Sequence, residues 1–288
     1  KSHHRTTGNC FGNFGFQSAG SIYQFGHIGT GKNEKVLWLK FNTYWKNPLV
    51  RKCADKFRVR EYVAERGCED LLCPLIATYS QPEEIDWAHL PDRFALKLNV
   101  GCGRNLIVTD SSTIDIDTAK KTVEGWMRDD AWRCYSEMQY KGVPMVLLME
   151  ECLSSADSEP PLDYKFYCMN GKAKYVMVCV GRGRASLPRF FYFDRDWNLM
   201  PFTQEALDDP GFRMEKPEGL EEAFRYAEIL SEPFPFVRTD LYLVDGRTYF
   251  GELTFTPSAG LDRYRLPKTD RLLGDALDLP IEGLSGKR

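Results

Sequence analysis

The stretch "FPFVRTDLYLVDGRTYFGELTFTP", residues 234–257, sets two alternating runs on either side of Asp245-Gly246. Successive side chains of a strand point to opposite faces. Val237, Leu241 and Leu243 thus share one face, with Arg238, Asp240 and Tyr242 on the other. On the return, Tyr249, Leu253 and Phe255 alternate against Glu252, Thr254 and Thr256. Asp-Gly between such runs signals a hairpin. A two-residue turn would pair Asp240 with Gly251 and send Glu252 to the opposite face. A three-residue loop, with Gly246 left-handed in a bulged turn, puts Arg238, Asp240, Glu252 and Thr254 on one face and the apolar residues on the other. Because the hydrophobic pattern sets register, the three-residue loop is expected. Two carboxylates brought together in this way suit Mg²⁺, which binds one or two carboxylates plus substrate phosphates. The same pattern also fits the solvated face of a surface sheet.

Upstream, "PEGLEEAFRYAEILSE" has the apolar spacing of an amphipathic helix, and "DYKFYCMNGKAKYVMVCV" is a hairpin turning at Asn170-Gly171. "SSADSEPP", 154–161, is a polar, proline-rich connector and the best internal boundary. Before it, "VPMVLLMEECL" reads as an apolar strand ending in Glu150 and Glu151. "SSTIDIDTAKKTVEGWMRDDAWRCY" supplies a helix with Ala119, Val123, Trp126 and Met127 on one face. "ADKFRVREYVAERG" is a helix capped by Gly67, "LLCPLIATYS" is a buried strand, and residues 1–35 show no clear periodicity.

Residues 93–108, "RFALKLNVGCGRNLIV", run a strand into a glycine loop and back along "NLIV". The spacing fits neither a P-loop nor a dinucleotide fingerprint. By itself, Lys97 reads as a solvated strand lysine.

The chain has 288 residues and a net charge of −3 with mixed signs, which gives no reason to expect a nucleic-acid partner. No apolar run approaches a membrane span, and the first residues lack a signal-peptide pattern. Nine cysteines without a Cys-x-x-Cys pair, several inside apolar strands, point to a reducing cytoplasm and no disulfide framework. Four histidines without ligand spacing argue against a structural zinc site.

In this order, "DKFRVREYV", "ALKLNVGCGRNLIV", "LLMEECL", "DYKFYCMNGK" and the 234–257 hairpin resemble the TupA-like ATP-grasp family over roughly residues 40–260. The resemblance implies an α+β fold in which two lobes clasp ATP between antiparallel sheets, preceded by an N-terminal extension. The expected division is 1–92 for the N-terminal region, 93–153 for a small lobe with the glycine flap, and 154–288 for a large lobe with the metal-binding hairpin.

It further implies that Lys56 and Lys97 contact ATP phosphates as point charges. The segment from Gly101 through Gly103 to Asn105 becomes the flap over the phosphates. Family members tend to have His and Ser where this chain has Val100 and Cys102, which argues against side-chain roles there. Glu150, Glu151 and Leu153 become the hinge that reads adenine, mainly through backbone groups. Asp163 matches the acceptor of ribose hydroxyls, and Lys165, on the same strand face, reaches phosphate or substrate. Asp240 and Glu252 match the Mg²⁺ carboxylates. Thr254 stands where many ATP-grasp ligases have Asn as a third ligand. Arg238 resembles the arginine that stabilises the transferring phosphoryl group or the tetrahedral intermediate. Arg182, Arg184 and Arg189 could bind an anionic substrate.

The activity implied is an ATP- and Mg²⁺-dependent carboxylate-amine ligase that works through an acyl phosphate and releases ADP. Its carboxylate would come from a small molecule or saccharide, such as a cell-surface polysaccharide precursor, an amino acid or a peptide. A small-molecule or sugar kinase on the same fold, or a glycosyltransferase-associated nucleotide-binding module, would use the same residues. The sequence carries no signal for oligomeric state.

Overall fold

The computed structural model describes residues 29–129, 131–153, 161–181 and 187–281. In chain order the elements are α1 (Lys32–Leu39), α2 (Pro48–Ala54), α3 (Val59–Glu65), β1 (Leu75–Tyr79), β2 (Phe94–Leu98), β3 (Asn105–Val108), α4 (Ile116–Arg128) and α5 (Ala131–Cys134). There follow β4 (Leu147–Glu150), β5 (Asp163–Met169), β6 (Lys172–Val180), β7 (Arg189–Phe193), β8 (Leu199–Met200), α6 (Gln204–Asp208) and α7 (Leu220–Ser231). The chain closes with β9 (Phe236–Val244), β10 (Arg247–Thr254) and α8 (Pro267–Asp275).

The strands form two antiparallel sheets, ordered β1-β4-β2-β3 and β10-β9-β5-β6-β7-β8. With the helices they make the α+β architecture expected. The smaller sheet has its own core, including Phe94, Leu96, Val123 and Met149. The larger core lies mostly between the six-stranded sheet and the helices.

All seven residues of β5 are buried, so its alternation separates two buried faces rather than core from solvent. Phe166 meets Phe224 of α7 edge-on at 4.8 Å, and the Cys168 thiol points at the Ala227 carbonyl. Asp163, Lys165 and Tyr167 therefore occupy the other face. In α7, Leu220, Ala223, Phe224, Ala227 and Leu230 form one buried stripe at helical spacing.

The register of β9 and β10 corrects one expectation. Val244 pairs with Arg247, so Asp245-Gly246 is a two-residue turn, with φ of 51° and 72° suited to the primed hairpin geometry. The ladder then shifts at Gly251: Phe250 pairs with Leu241, Glu252 with Asp240 and Thr254 with Arg238. The extra residue lies in the strand, not the loop, and still brings the four side chains to one face. A Cβ on Gly251 would come within 2.8 Å of the Asp240 carbonyl oxygen, so the bulge needs a residue without one.

The 54–67 helix is shorter than expected, because Asp55 breaks α2 from α3 and its Oδ1 caps the turn by accepting from the Phe57 and Arg58 amides. The 111–135 helix starts at Ile116, where Asp115 accepts from the Thr118 amide, and ends at Arg128 before the extended Asp129. Helix α1 overlaps the segment that showed no periodicity. Just after it, the buried Tyr44 donates to the Phe236 carbonyl and accepts from its amide, tying the N-terminal segment to the start of β9.

Candidate active site

Arg238 donates from Nε and Nη2 to the two oxygens of Asp240, both at 2.7 Å. This fork-to-fork pairing is the strongest form of such a contact. Lys165 donates to Asp240 at 2.6 Å and to Asp163 at 2.7 Å. Lys165 is 7% exposed, so it is no solvated strand lysine. Burial opposes its charge, but Asp240 and Asp163 outweigh that and raise its pKa.

Glu252 lies at the open end of the network. Thr254 accepts from Arg238 at 3.1 Å and donates to Glu252 at 2.9 Å, and Lys56 stands 3.5 Å from the other Glu252 oxygen. Burial pushes the Glu252 carboxyl up, but Lys56, Arg238 and Lys165 hold it down at about 2, so it is ionised at neutral pH. Lys56 also donates to the Gly101 carbonyl at 2.6 Å, which joins the β2–β3 loop to the hairpin.

Asn99, fully buried, positions Lys56 and was missed in the sequence. Its amide nitrogen donates to Asp55 at 3.0 Å, its amide oxygen accepts from the Val146 amide, and its backbone carbonyl accepts from the Lys56 amide. An Asn next to a strand end carries no signal until its partners are known.

On the small sheet, Glu150 accepts from Lys97 at 2.6 Å and from Arg60 at 2.8 Å. The hinge was expected to act mainly through its backbone, yet the carboxylate of Glu150 is the centre of an ion group. Arg60 was also missed, since a charged residue on a helix usually reads as solvated. The Glu151 amide donates to the Pro74 carbonyl, so it is already engaged, and Leu153 is the last described residue before 161. Gly101 and Gly103 form the tip of the β2–β3 hairpin, where Lys97 pairs with Asn105. Val100 is buried in the small-sheet core and Cys102 is exposed.

Arg189 pairs with Asp209 at 3.2 Å and lies over the Phe191 and Phe212 rings, away from the ion network. Arg182 and Arg184 lie outside the described residues. Glu137 is an acid that sequence reading did not single out. It accepts from Thr256 at 2.8 Å, and burial raises its pKa although Lys40 and Lys56 oppose the shift.

The donor set fits a hard cation in part. Glu252 is ionised and about one-third exposed, while both Asp240 oxygens are engaged by Arg238 and Lys165. Among the described residues no three His, Cys, Asp or Glu side chains cluster as a protein-only metal cage. Glu252, which Thr254, Lys56 and Arg238 already contact, is the one partly exposed carboxylate here that could join phosphates around a Mg²⁺ ion.

The sequence model of the family described as TupA-like ATPgrasp matches residues 34–278. The chain belongs to this ATP-grasp family. No curated protein matches it. Similar solved structures include the D-alanine–D-alanine ligase of Bacillus anthracis complexed with ATP, at 14% identity and a TM-score of 0.49, covering 78% of this chain and 65% of that one. An ADP complex of N5-carboxyaminoimidazole ribonucleotide synthetase matches at 14% identity and TM-score 0.45, over 72% and 45% of the two chains. The ATP-grasp ligase PsnB with a minimal precursor matches at 12% and 0.39, over 82% and 59%. The chain thus spans less than two-thirds of the length of each. Among the described residues, no helix is long and apolar enough to cross a membrane.

Proposed function

We propose that this ATP-grasp chain is an ATP- and Mg²⁺-dependent carboxylate-amine ligase that releases ADP. The observation that carries the reading is the convergence of Lys56, Arg238 and an ionised Glu252 beneath the Gly101 flap tip.

In this reading ATP lies between the flap and the face shared by β5, β9 and β10. Glu150, Glu151 and Leu153 border the adenine, and Asp163 meets the ribose. Lys97 and Lys56 approach the phosphates from the small-sheet side. Glu252 holds the Mg²⁺ together with nucleotide phosphates, and Asp240 orients Arg238 and Lys165. When bound, Mg²⁺ supplies positive charge beside the transferring phosphoryl group.

A substrate carboxylate attacks the γ-phosphate to give an acyl phosphate and ADP. Charge spreads over the phosphoryl oxygens, and Lys56, Lys165 and Arg238 stabilise it without a covalent enzyme intermediate. An amine then attacks the acyl carbon and phosphate leaves. Among carboxylates, a cell-surface polysaccharide precursor, an amino acid or a peptide fits the family reading.

An ADP-release screen of paired carboxylates and amines tests this. Turnover that requires both partners supports a ligase, whereas repeated turnover to a stable phosphorylated product without an amine would make the protein a kinase.

A further inference from the structure

A second buried group of cations lies on the same sheet face. Tyr167 pairs with Arg238 across β5 and β9, and Tyr192 aligns through Met177 with Lys165. Arg265 donates to the Tyr192 hydroxyl at 2.6 Å and to the Tyr167 hydroxyl at 2.5 Å, and pairs with Asp262. Its guanidinium lies 4.8 Å from the Tyr167 ring centroid, and the Lys32 ammonium lies 6.0 Å from the same centroid.

Lys32 is fully buried at the first turn of α1, and among the described residues its Nζ has no hydrogen-bond partner. Arg265 Nη1 and the Oγ1 of buried Thr269 are likewise unpartnered. Among the described residues, the charged groups that act on Lys32 include Arg265, Asp262, Asp270 and Arg238. Asp262 is engaged by Arg265, and Asp270 accepts from the Asn33 amide. Burial, then Arg265, pushes the Lys32 pKa well below the usual lysine range. An arriving anion would give these idle donors a partner and offset the burial and repulsion that disfavour charge on Lys32.

We propose that Lys32 and Arg265 form an oxyanion subsite. It would hold a carboxylate or phosphate carried by the carboxylate substrate, the acceptor of the phosphoryl group, beyond Arg238 on the sheet face that leads away from Asp163. This rests on the ligase reading for the word acceptor. The substrate would therefore bear a second anionic group besides the carboxylate that is activated.

The test is thermal melting of the full chain titrated with inorganic phosphate and, separately, with acetate. Each titration is run with and without a saturating, hydrolysis-resistant ATP analogue and Mg²⁺. The wild type is expected to gain melting temperature with anion on top of the nucleotide shift. Lys32→Met and the milder Lys32→Gln are expected to weaken that anion response about tenfold or more, as loss of a charge-assisted bond predicts. Their nucleotide shift should be unchanged. A response to phosphate alone assigns a phosphate group, and one to acetate alone a carboxylate. Wild-type indifference to both anions, or equal anion affinity in wild type and variants, overturns the subsite. A missing nucleotide shift would instead overturn the ATP reading, with the nucleotide-free titrations still deciding the subsite.

Discussion

Asp240 and Glu252 sit opposite one another on β9 and β10 because the ladder passes over Gly251. Without that bulge the two-residue turn at Asp245-Gly246 would pair Asp240 with Gly251 and turn Glu252 away. Gly251→Ala places a methyl against the Asp240 carbonyl oxygen, at 2.8 Å before relaxation. Overpacking of this kind costs about 1–3 kcal/mol. Urea unfolding should show that loss, together with a larger fall in turnover than Ala produces at the exposed Gly103.

Asp240 is 3% exposed and holds two cations. Asp240→Asn leaves Arg238 and Lys165 without their shared charge. Breaking a buried pair from one side costs about 3–5 kcal/mol. The urea midpoint should fall accordingly with the slope unchanged. A loss below about 1 kcal/mol would mean that the cations find other partners or water.

Lys97 and Arg60 share Glu150, but the proposal gives only Lys97 a phosphate to bind. Calorimetry should find ATP affinity weakened about tenfold or more by Lys97→Met, as expected for loss of a charge-assisted contact. Arg60→Met should retain ATP affinity. Equal losses in both variants would reduce Lys97 to a structural partner of Glu150.

The Glu252 carboxyl titrates at about 2 in the fold, against about 4.3 in an unfolded chain. A depressed folded pKa stabilises the native state above the unfolded value, and this contribution fades as pH falls from about 4.3 to 2. Wild-type stability should therefore drop more steeply than that of Glu252→Gln across that window. Parallel acid-denaturation curves would show that the surrounding cations do not hold Glu252 ionised.

Much of this arrangement is legible in the sequence because strands alternate. The polar positions of β9 and β10 identify Arg238, Asp240, Glu252 and Thr254, and Asn170-Gly171 announces its hairpin. The bulge was harder to place, since pattern alone fixes that one residue is extra but not where. The observed register, which passes over Gly251, locates it. Arg60, Asn99, Glu137, Lys32 and Arg265 were illegible for a different reason. Each acquires its role from partners distant in sequence, such as Glu150 for Arg60 and Tyr167 for Arg265. The six-stranded sheet also hides its buried polar face from hydropathy, because Lys165 is matched by Asp163 on its own strand and by Asp240 on β9.

The most direct measurement of the central claim is product analysis with Mg²⁺-ATP and a responsive carboxylate-amine pair, in wild type and Glu252→Gln. The wild type should form ADP and phosphate in equal amounts, dependent on both partners, with turnover reduced about a hundredfold or more in the variant. AMP and pyrophosphate as products, or undiminished ADP release by Glu252→Gln, would contradict it.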